Sequence, residues 1–308
     1  MTRDQYRIER AEHAAARKLQ RSQAFPERGL EAPRGAGAPP HHDSLNRRQF
    51  AQAIGIGLAG VRFAAGEGFH LNIGIGTYSY HSLSMESMIA QLTQLKIKEI
   101  EMSRGEFMLL SHPQDAIFSS ARALLDKAGI RCVSYYAATI KTDAEIEQAI
   151  RFAGLLGASN ITGDGTPDIL KRVDVGCTAA KLTFGLHNHY FPEKFAYESP
   201  EDLLKTLKGL SKTVGVTLDL GHIASCGYDT VDAVRKLGPY LRLVHLKDVR
   251  AAHGEDNVII GQGIAKIPAA MRELRQMHFG GLVAIEYEKE GPVEDDMRRA
   301  VEYARRFA

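Results

Sequence analysis

Residues 214–248 read VGVTLDLGHIASCGYDTVDAVRKLGPYLRLVHLKD. Two short β-rich runs, 214–219 and 241–246, flank a helical-period segment at 229–238. A strand, a helix and a second strand in that order make a crossover unit, which pairs its strands in parallel. Asp219 stands at the end of the first run and His245 near the end of the second, so each apolar segment delivers a polar group at its far end.

The same unit repeats outward in both directions. Strands are expected near 71–76, 97–102, 130–136, 158–162, 182–188, 214–219, 241–246 and 281–287. Helices are expected near 84–95, 114–128, 143–156, 167–180, 199–212, 229–238, 264–277 and 292–306. Met85, Met88, Ile89 and Leu92 follow the i, i+3, i+4, i+7 stripe, and Ile146, Ala149, Ile150 and Ala153 repeat it. Ser199-Pro200-Glu201-Asp202 is an N-cap, then Pro at the first helical position, then acids where the helix dipole favours them. Gly129 and Gly157 close their helices. Eight such units in about 240 residues match an α/β (β/α)8 TIM barrel. A doubly wound sheet would show a Gly-rich phosphate turn after the first strand. Gly74-Ile75-Gly76-Thr77-Tyr78 lacks the third glycine, which argues against a dinucleotide site.

The chain has 308 residues, 44% hydrophobic and 25% charged, so an ordinary core suffices to fold it. Cys132, Cys177 and Cys226 lie far apart, which excludes a disulfide framework and a cysteine zinc finger. No apolar run is long enough for a stable membrane span. Residues 1–68 hold 11 Lys+Arg against 7 Asp+Glu, whereas the rest holds 28 against 30. The expected domains are therefore a disordered leader, 1–68, and a catalytic barrel, 69–308. Within the leader, Asn46-Arg47-Arg48-Gln49-Phe50 precedes an apolar Gly/Ala-rich stretch to Ala65. That order is similar to a twin-arginine export signal and implies a periplasmic or exported protein, with a cytoplasmic one as the alternative. The net charge of +2 and the acidic body speak against a nucleic-acid partner.

Four consecutive strands end in polar chemistry: Leu186-His187-Asn188-His189, Leu218-Asp219, Val244-His245-Leu246-Lys247-Asp248 and Ile285-Glu286. Active sites of such barrels lie at the C-terminal strand ends. Each residue alone has a plain structural reading, as a cap, a core imidazole or an ion-pair partner. Together, His187, Asp219, His245 and Glu286 would converge on one point and suit one divalent ion such as Mn²⁺, Co²⁺, Zn²⁺ or Mg²⁺. His187 and His189 share a face, and spacing does not choose between them as the ligand. Ile260-Gly261-Gln262-Gly263 reads either as a phosphate contact or as a tight turn.

On these motifs, with Gly227-Tyr228-Asp229 and the Asp219 to His245 spacing, residues 71–307 resemble the xylose-isomerase-like TIM-barrel superfamily, in its sugar phosphate isomerase/epimerase branch. The resemblance implies a metal-dependent isomerase or epimerase acting on a small-molecule sugar or keto-sugar by proton abstraction beside a carbonyl. A homo-oligomer is compatible with it. It places the metal ligands at His187, Asp219, His245 and Glu286, substrate contacts at His222 and Glu193, and weaker orienting roles at Lys247 and Arg242. Glu286 is the implied base, with His189 or Glu193 as a second acid/base group. One position departs from the family: relatives carry Glu where this chain has His187, so a symmetrical pair of carboxylate bases is missing. A dehydratase or lyase acting on a keto-sugar or inosose is therefore the alternative, and a non-catalytic sugar-binding barrel is a third reading. A DNA-repair endonuclease of the same fold resembles the chain at Asp219, His222 and His245, but the Asp-x-His pair it needs after strand 7 is replaced here by Glu255-Asp256-Asn257-Val258.

The export expectation has a direct check. Replacing Arg47 and Arg48 by Lys should hold a reporter fusion in the cytoplasm, and undiminished secretion would remove the assignment.

Overall fold

The computed structural model describes residues 69–109, 115–190, 197–254 and 256–308. The leader with its Arg47-Arg48 pair, His112, Glu193 and Glu255 lie outside the described residues. Phe69–Ala308 forms one unit. Its strands are β1 (Asn72–Gly76), β2 (Glu99–Met102), β3 (Arg131–Thr139), β4 (Asn160–Asp164), β5 (Thr183–His187), β6 (Val214–Asp219), β7 (Leu241–Leu246) and β8 (Leu282–Ile285). Its helices are α1 (Met85–Gln94), α2 (Asp115–Ala128), α3 (Asp143–Leu156), α4 (Pro167–Ala180), α5 (Pro200–Leu207), α6 (Thr230–Leu237), α7 (Ile267–Gln276) and α8 (Glu294–Arg305). Every neighbouring pair of these eight strands is parallel, and β1 pairs with both β2 and β8, so the sheet closes into the expected TIM barrel; Asp248–Val249 and Asn257–Val258 form a separate antiparallel pair. No described helix is long and apolar enough to cross a membrane.

The helices begin and end where their terminal groups are satisfied. The Ser199 side chain accepts from Asp202 N–H ahead of α5, and Thr142 with Glu145 forms a reciprocal capping box ahead of α3. Gly157, at φ +71°, closes α3 in the left-handed conformation. Several boundaries differ from expectation. Helix α5 stops at Leu207 rather than 212, because Gly209 takes φ +87° and turns the chain away. Strand β4 runs to Asp164, two residues beyond the expected end.

Two apolar regions hold the barrel. The larger lies between strands and helices, where Phe118 of α2 stacks on Phe152 of α3 at 3.7 Å and Tyr135 of β3 meets Phe118 edge-on at 5.9 Å. The smaller, Leu243, Leu282 and Ala284 with Val133, joins β7 and β8 to β3 across the barrel interior. Above this plug the interior turns polar. Ser134, Asn160, Thr162 and Thr217 bond to one another there, with Thr162 Oγ1 2.9 Å from Thr217 Oγ1. A bulge in β3 makes this possible: Cys132 pairs with Ile100 but Ser134 pairs with Glu101, so Val133 is the extra residue. Val133 joins the plug while Ser134 turns to Glu101.

The interior has no spare room beside Gly185, where an added Cβ would fall on Thr217 Oγ1. Gly185→Ala should therefore destabilise the protein by about 1–3 kcal/mol through overpacking. A urea midpoint unchanged from the native protein would contradict that packing.

Candidate metal centre at the barrel mouth

Inward-facing positions recur every second residue along a strand. That periodicity carries Gly185 to His187 on β5, Thr217 to Asp219 on β6 and Leu243 to His245 on β7. Asp219 and His245 are directly paired in register. Glu286 follows one residue after β8, with its N–H on Leu246 O at 3.2 Å. The donor atoms of His187, Asp219 and His245 all lie within 4.8 Å of one another. His187 Nε2 is 3.1 Å from His245 Nδ1, and Glu286 Oε2 is 3.3 Å from that same Nδ1. His245 Nδ1 and His187 Nε2 stand 3.7 and 3.9 Å from Asp219 Oδ2.

Asp219 is held hard. Its N–H donates to Asn188 Oδ1 at 2.8 Å, and Asn188 Nδ2 returns a bond to Asp219 O at 3.1 Å. Its Oδ1 accepts from His222 N–H at 2.8 Å and caps the short helical turn Leu220–Ser225. Its Oδ2 is buried with no hydrogen-bond partner. A buried carboxylate oxygen left bare is costly unless a cation or donor meets it. The two imidazoles and the Glu286 carboxylate grouped around it form a donor set suited to a borderline-hard divalent ion. The residues therefore fit one.

The surroundings support the same fit. Glu101, on β2, is fully buried and lies 2.6 Å from His245 Nε2, while Ser134 Oγ–H donates to its other oxygen at 2.8 Å. A carboxylate on one imidazole nitrogen fixes the ring and strengthens the other nitrogen as a ligand. On the far side, Asp164 Oδ2 lies 2.9 Å from His189 Nε2, which lies 3.1 Å from His187 Nδ1. His187 thus enters the cluster and His189 stands behind it. Glu101, Asp164, Asp219 and Glu286 are all buried, and the Lys247 ammonium joins them, 3.3 Å from Glu286 Oε1 and 2.5 Å from Glu288 Oε1.

This crowding sets the protonation. Burial pushes His187 well below its usual range, reinforced by His189 and His245, so it is neutral. Burial likewise takes His222 down to about 3. Burial would raise Asp219, but His222, Lys247 and His245 outweigh it and hold the carboxyl well below the usual range. Burial would lower His245, but Glu286 and Glu101 outweigh it and raise the imidazole well above its ordinary value. Burial raises Glu286. Burial would also raise Glu288, yet Lys247 pulls it down to about 2.

The other expected site residues divide. His222 reaches the cluster, with Nε2 3.9 Å from Asp219 Oδ2, and Lys247 faces Glu286. Arg242 does not belong to the site. It is the bulge residue at the opposite end of β7, and its guanidinium is tied to Lys212 O. Glu101, Asp164, Glu288 and Asn188 were not singled out by sequence. Asp164 obeys the strand-end rule once β4 is drawn to its true end. Glu101 sits mid-run in Glu99-Ile100-Glu101-Met102, where only the inward face distinguishes it.

Comparison with known proteins completes the picture. A family model described as xylose isomerase-like TIM barrel matches residues 94–307. No curated protein matches the chain in sequence. An uncharacterised protein from Parabacteroides distasonis is 25% identical over 77% of this chain and 99% of its own, with a TM-score of 0.59. A D-psicose 3-epimerase solved in the presence of D-fructose is 16% identical over 77% and 99%, with a TM-score of 0.62. The probable 3-DHS dehydratase AsbF of Bacillus anthracis is 13% identical over 75% and 98%, with a TM-score of 0.63. The last two likenesses speak for the fold alone.

Two outcomes are expected. Glu101→Gln should weaken divalent-ion binding by about 10–100-fold while leaving a cooperative melt; calorimetry with Mn²⁺ checks it, and native affinity would sink the role. An ion at Nδ1 must displace the proton that His245 holds in the metal-free protein, so affinity should rise with pH, and calorimetry in two buffers of different ionisation heat should show proton release.

Proposed function

Because this chain belongs to the xylose isomerase-like TIM-barrel family, we propose that it is a divalent-metal-dependent isomerase or epimerase that removes a proton beside the carbonyl of a sugar or keto-sugar. The observation that carries this reading is the bare Oδ2 of Asp219, buried among His187, His245 and Glu286. An ion held by His187, Asp219, His245 and Glu286 would act as a Lewis acid on the carbonyl oxygen and acidify the adjacent C–H.

The chain's own groups supply the rest. Glu286 accepts the proton. In the metal-free protein burial raises its carboxyl above the usual range. Lys247 Nζ faces Glu286 Oε1, so the ammonium orients that carboxylate and substrate oxygens near it. His222 is held beside Asp219 by its backbone and offers a neutral imidazole to a hydroxyl. His189, backed by Asp164, is the second group able to give or take a proton.

His187 favours a second reading. Where the family resemblance implies Glu, this site has an imidazole, and an imidazole on a metal has no free lone pair for proton removal. Proton abstraction from one face, as in isomerisation or β-elimination by a lyase, fits this arrangement better than two-base epimerisation. We also propose that the leader exports the protein.

Glu286→Gln should cost about 10²–10⁴-fold in turnover. Metal-loaded protein incubated in D₂O with a panel of keto-sugars and inososes should place deuterium in one substrate or product, read by NMR. Absence of exchange across the panel would defeat the enzymatic reading and leave a sugar-binding barrel. Clean inversion at one carbon with Glu286→Gln still active would defeat the one-base assignment.

A further inference from the structure

The proposed metal ligands enter the mouth from β5, β6, β7 and the end of β8, and one aromatic side chain enters from across the barrel. Tyr136 lies on β3, four strands from β7 in the closed order, so its strand stands across the opening from the one that carries His245 and Lys247. Strand register sets its direction. Ser134 pairs with Asn160 and Tyr136 with Thr162. Ser134, Asn160 and Thr162 bond to one another inside the barrel, so alternation turns Tyr136 inward as well, one step nearer the mouth. Its ring meets the His187 imidazole edge-on at 5.5 Å between centroids. The side chain is half-buried, and its hydroxyl makes no hydrogen bond with any described residue.

The phenol stands in acceptor-rich surroundings. Burial, then Asp164, Glu286, Glu101 and Glu288, hold it well above its usual range, so it remains a neutral O–H donor. The cationic donors nearby are already engaged: Lys247 by Glu286 and Glu288, and His245 by Glu101. Hydroxyl groups of a sugar can give their protons to the carboxylates. Its carbonyl oxygen has no proton to give and needs a donor or a cation. Tyr136 supplies an O–H that no described protein group holds, from the wall opposite β7.

We infer that Tyr136 is a further substrate-contacting residue, whose phenol donates a hydrogen bond to an oxygen of the bound keto-sugar while its ring rests against His187. The inference rests on the keto-sugar reading for its ligand and on strand register for its donor.

The full chain loaded with Mn²⁺ is titrated by calorimetry with D-fructose, D-psicose, D-tagatose and a ketone of myo-inositol, native protein beside Tyr136→Phe. At least one of these compounds should bind the native protein, and the variant should bind that same compound about 10-fold more weakly. Its Mn²⁺ affinity and melting temperature should stay at the native values, because the ring remains on His187. Equal affinity for the sugar in both proteins overturns the inference and leaves the keto-sugar reading standing. A fall in Mn²⁺ affinity as large as the fall in sugar affinity also overturns it, since the hydroxyl would then serve the metal site. Failure of every compound to bind the native protein defeats the keto-sugar reading, and the inference with it. Should Tyr136→Phe not melt cooperatively, the native protein decides. Loaded with Mg²⁺ and carrying ¹³C at the tyrosine ζ positions, it should show a tyrosine signal that moves when the sugar binds, and no movement overturns the contact.

Discussion

Carboxylates buried around two imidazoles at the barrel mouth are the constraint to which the surrounding structure answers. Glu101, Asp219 and Glu286 each come within 4 Å of the His245 ring nitrogens. Like charges at that separation repel strongly in a poorly solvated interior unless a cation is shared among them. His245 supplies part of that positive charge as an imidazolium, and Lys247 supplies more from the β7 end. A divalent ion would take the place of the His245 proton and bring more positive charge to the same point. The cluster is therefore both the chemical centre and the largest local electrostatic demand on the fold.

The scaffold meets that demand with strands and short bonds. Asn188 ties the ends of β5 and β6 together through two bonds to the Asp219 backbone. Ser134 fixes Glu101, and Glu101 fixes His245. The loop after β7 is gathered onto Asp248 rather than onto a ligand. Each donor atom is thus aimed by an element that is itself paired on both sides, which is the condition for a site to hold its geometry within a fraction of an ångström.

The fold was legible because each unit announces itself locally: a β-rich run, a capped helix with a 3.6-residue stripe, a glycine stop. The four strand-end residues were legible for the same reason, since polarity after an apolar run stands out in one dimension. What stayed hidden depended on three-dimensional facts. Glu101 is separated from His245 by 144 positions, and nothing between Glu99 and Met102 tells which acid faces inward. Asp164 was masked because Gly163 interrupts the β-rich run before it. Arg242 misled because sequence shows that it lies on β7 but not which end of the barrel it serves. The choice between His187 and His189 needed ring positions, which only the structure supplies.

The single extra residue in β3 has a broader meaning. Because Val133 is inserted opposite the Ile100–Glu101 step, the parity of β3 changes there, with Tyr135 on the helix side and Ser134 on the inside. Side-chain alternation is a counting rule, so losing one residue at this point would swap the two faces of the strand beyond it. The hydroxyl that steadies Glu101 would then give way to the ring of Tyr135. The chemistry at the mouth is therefore written partly in the number of residues in β3, a strand that supplies none of the four proposed ligands but packs Tyr136 against the His187 ring.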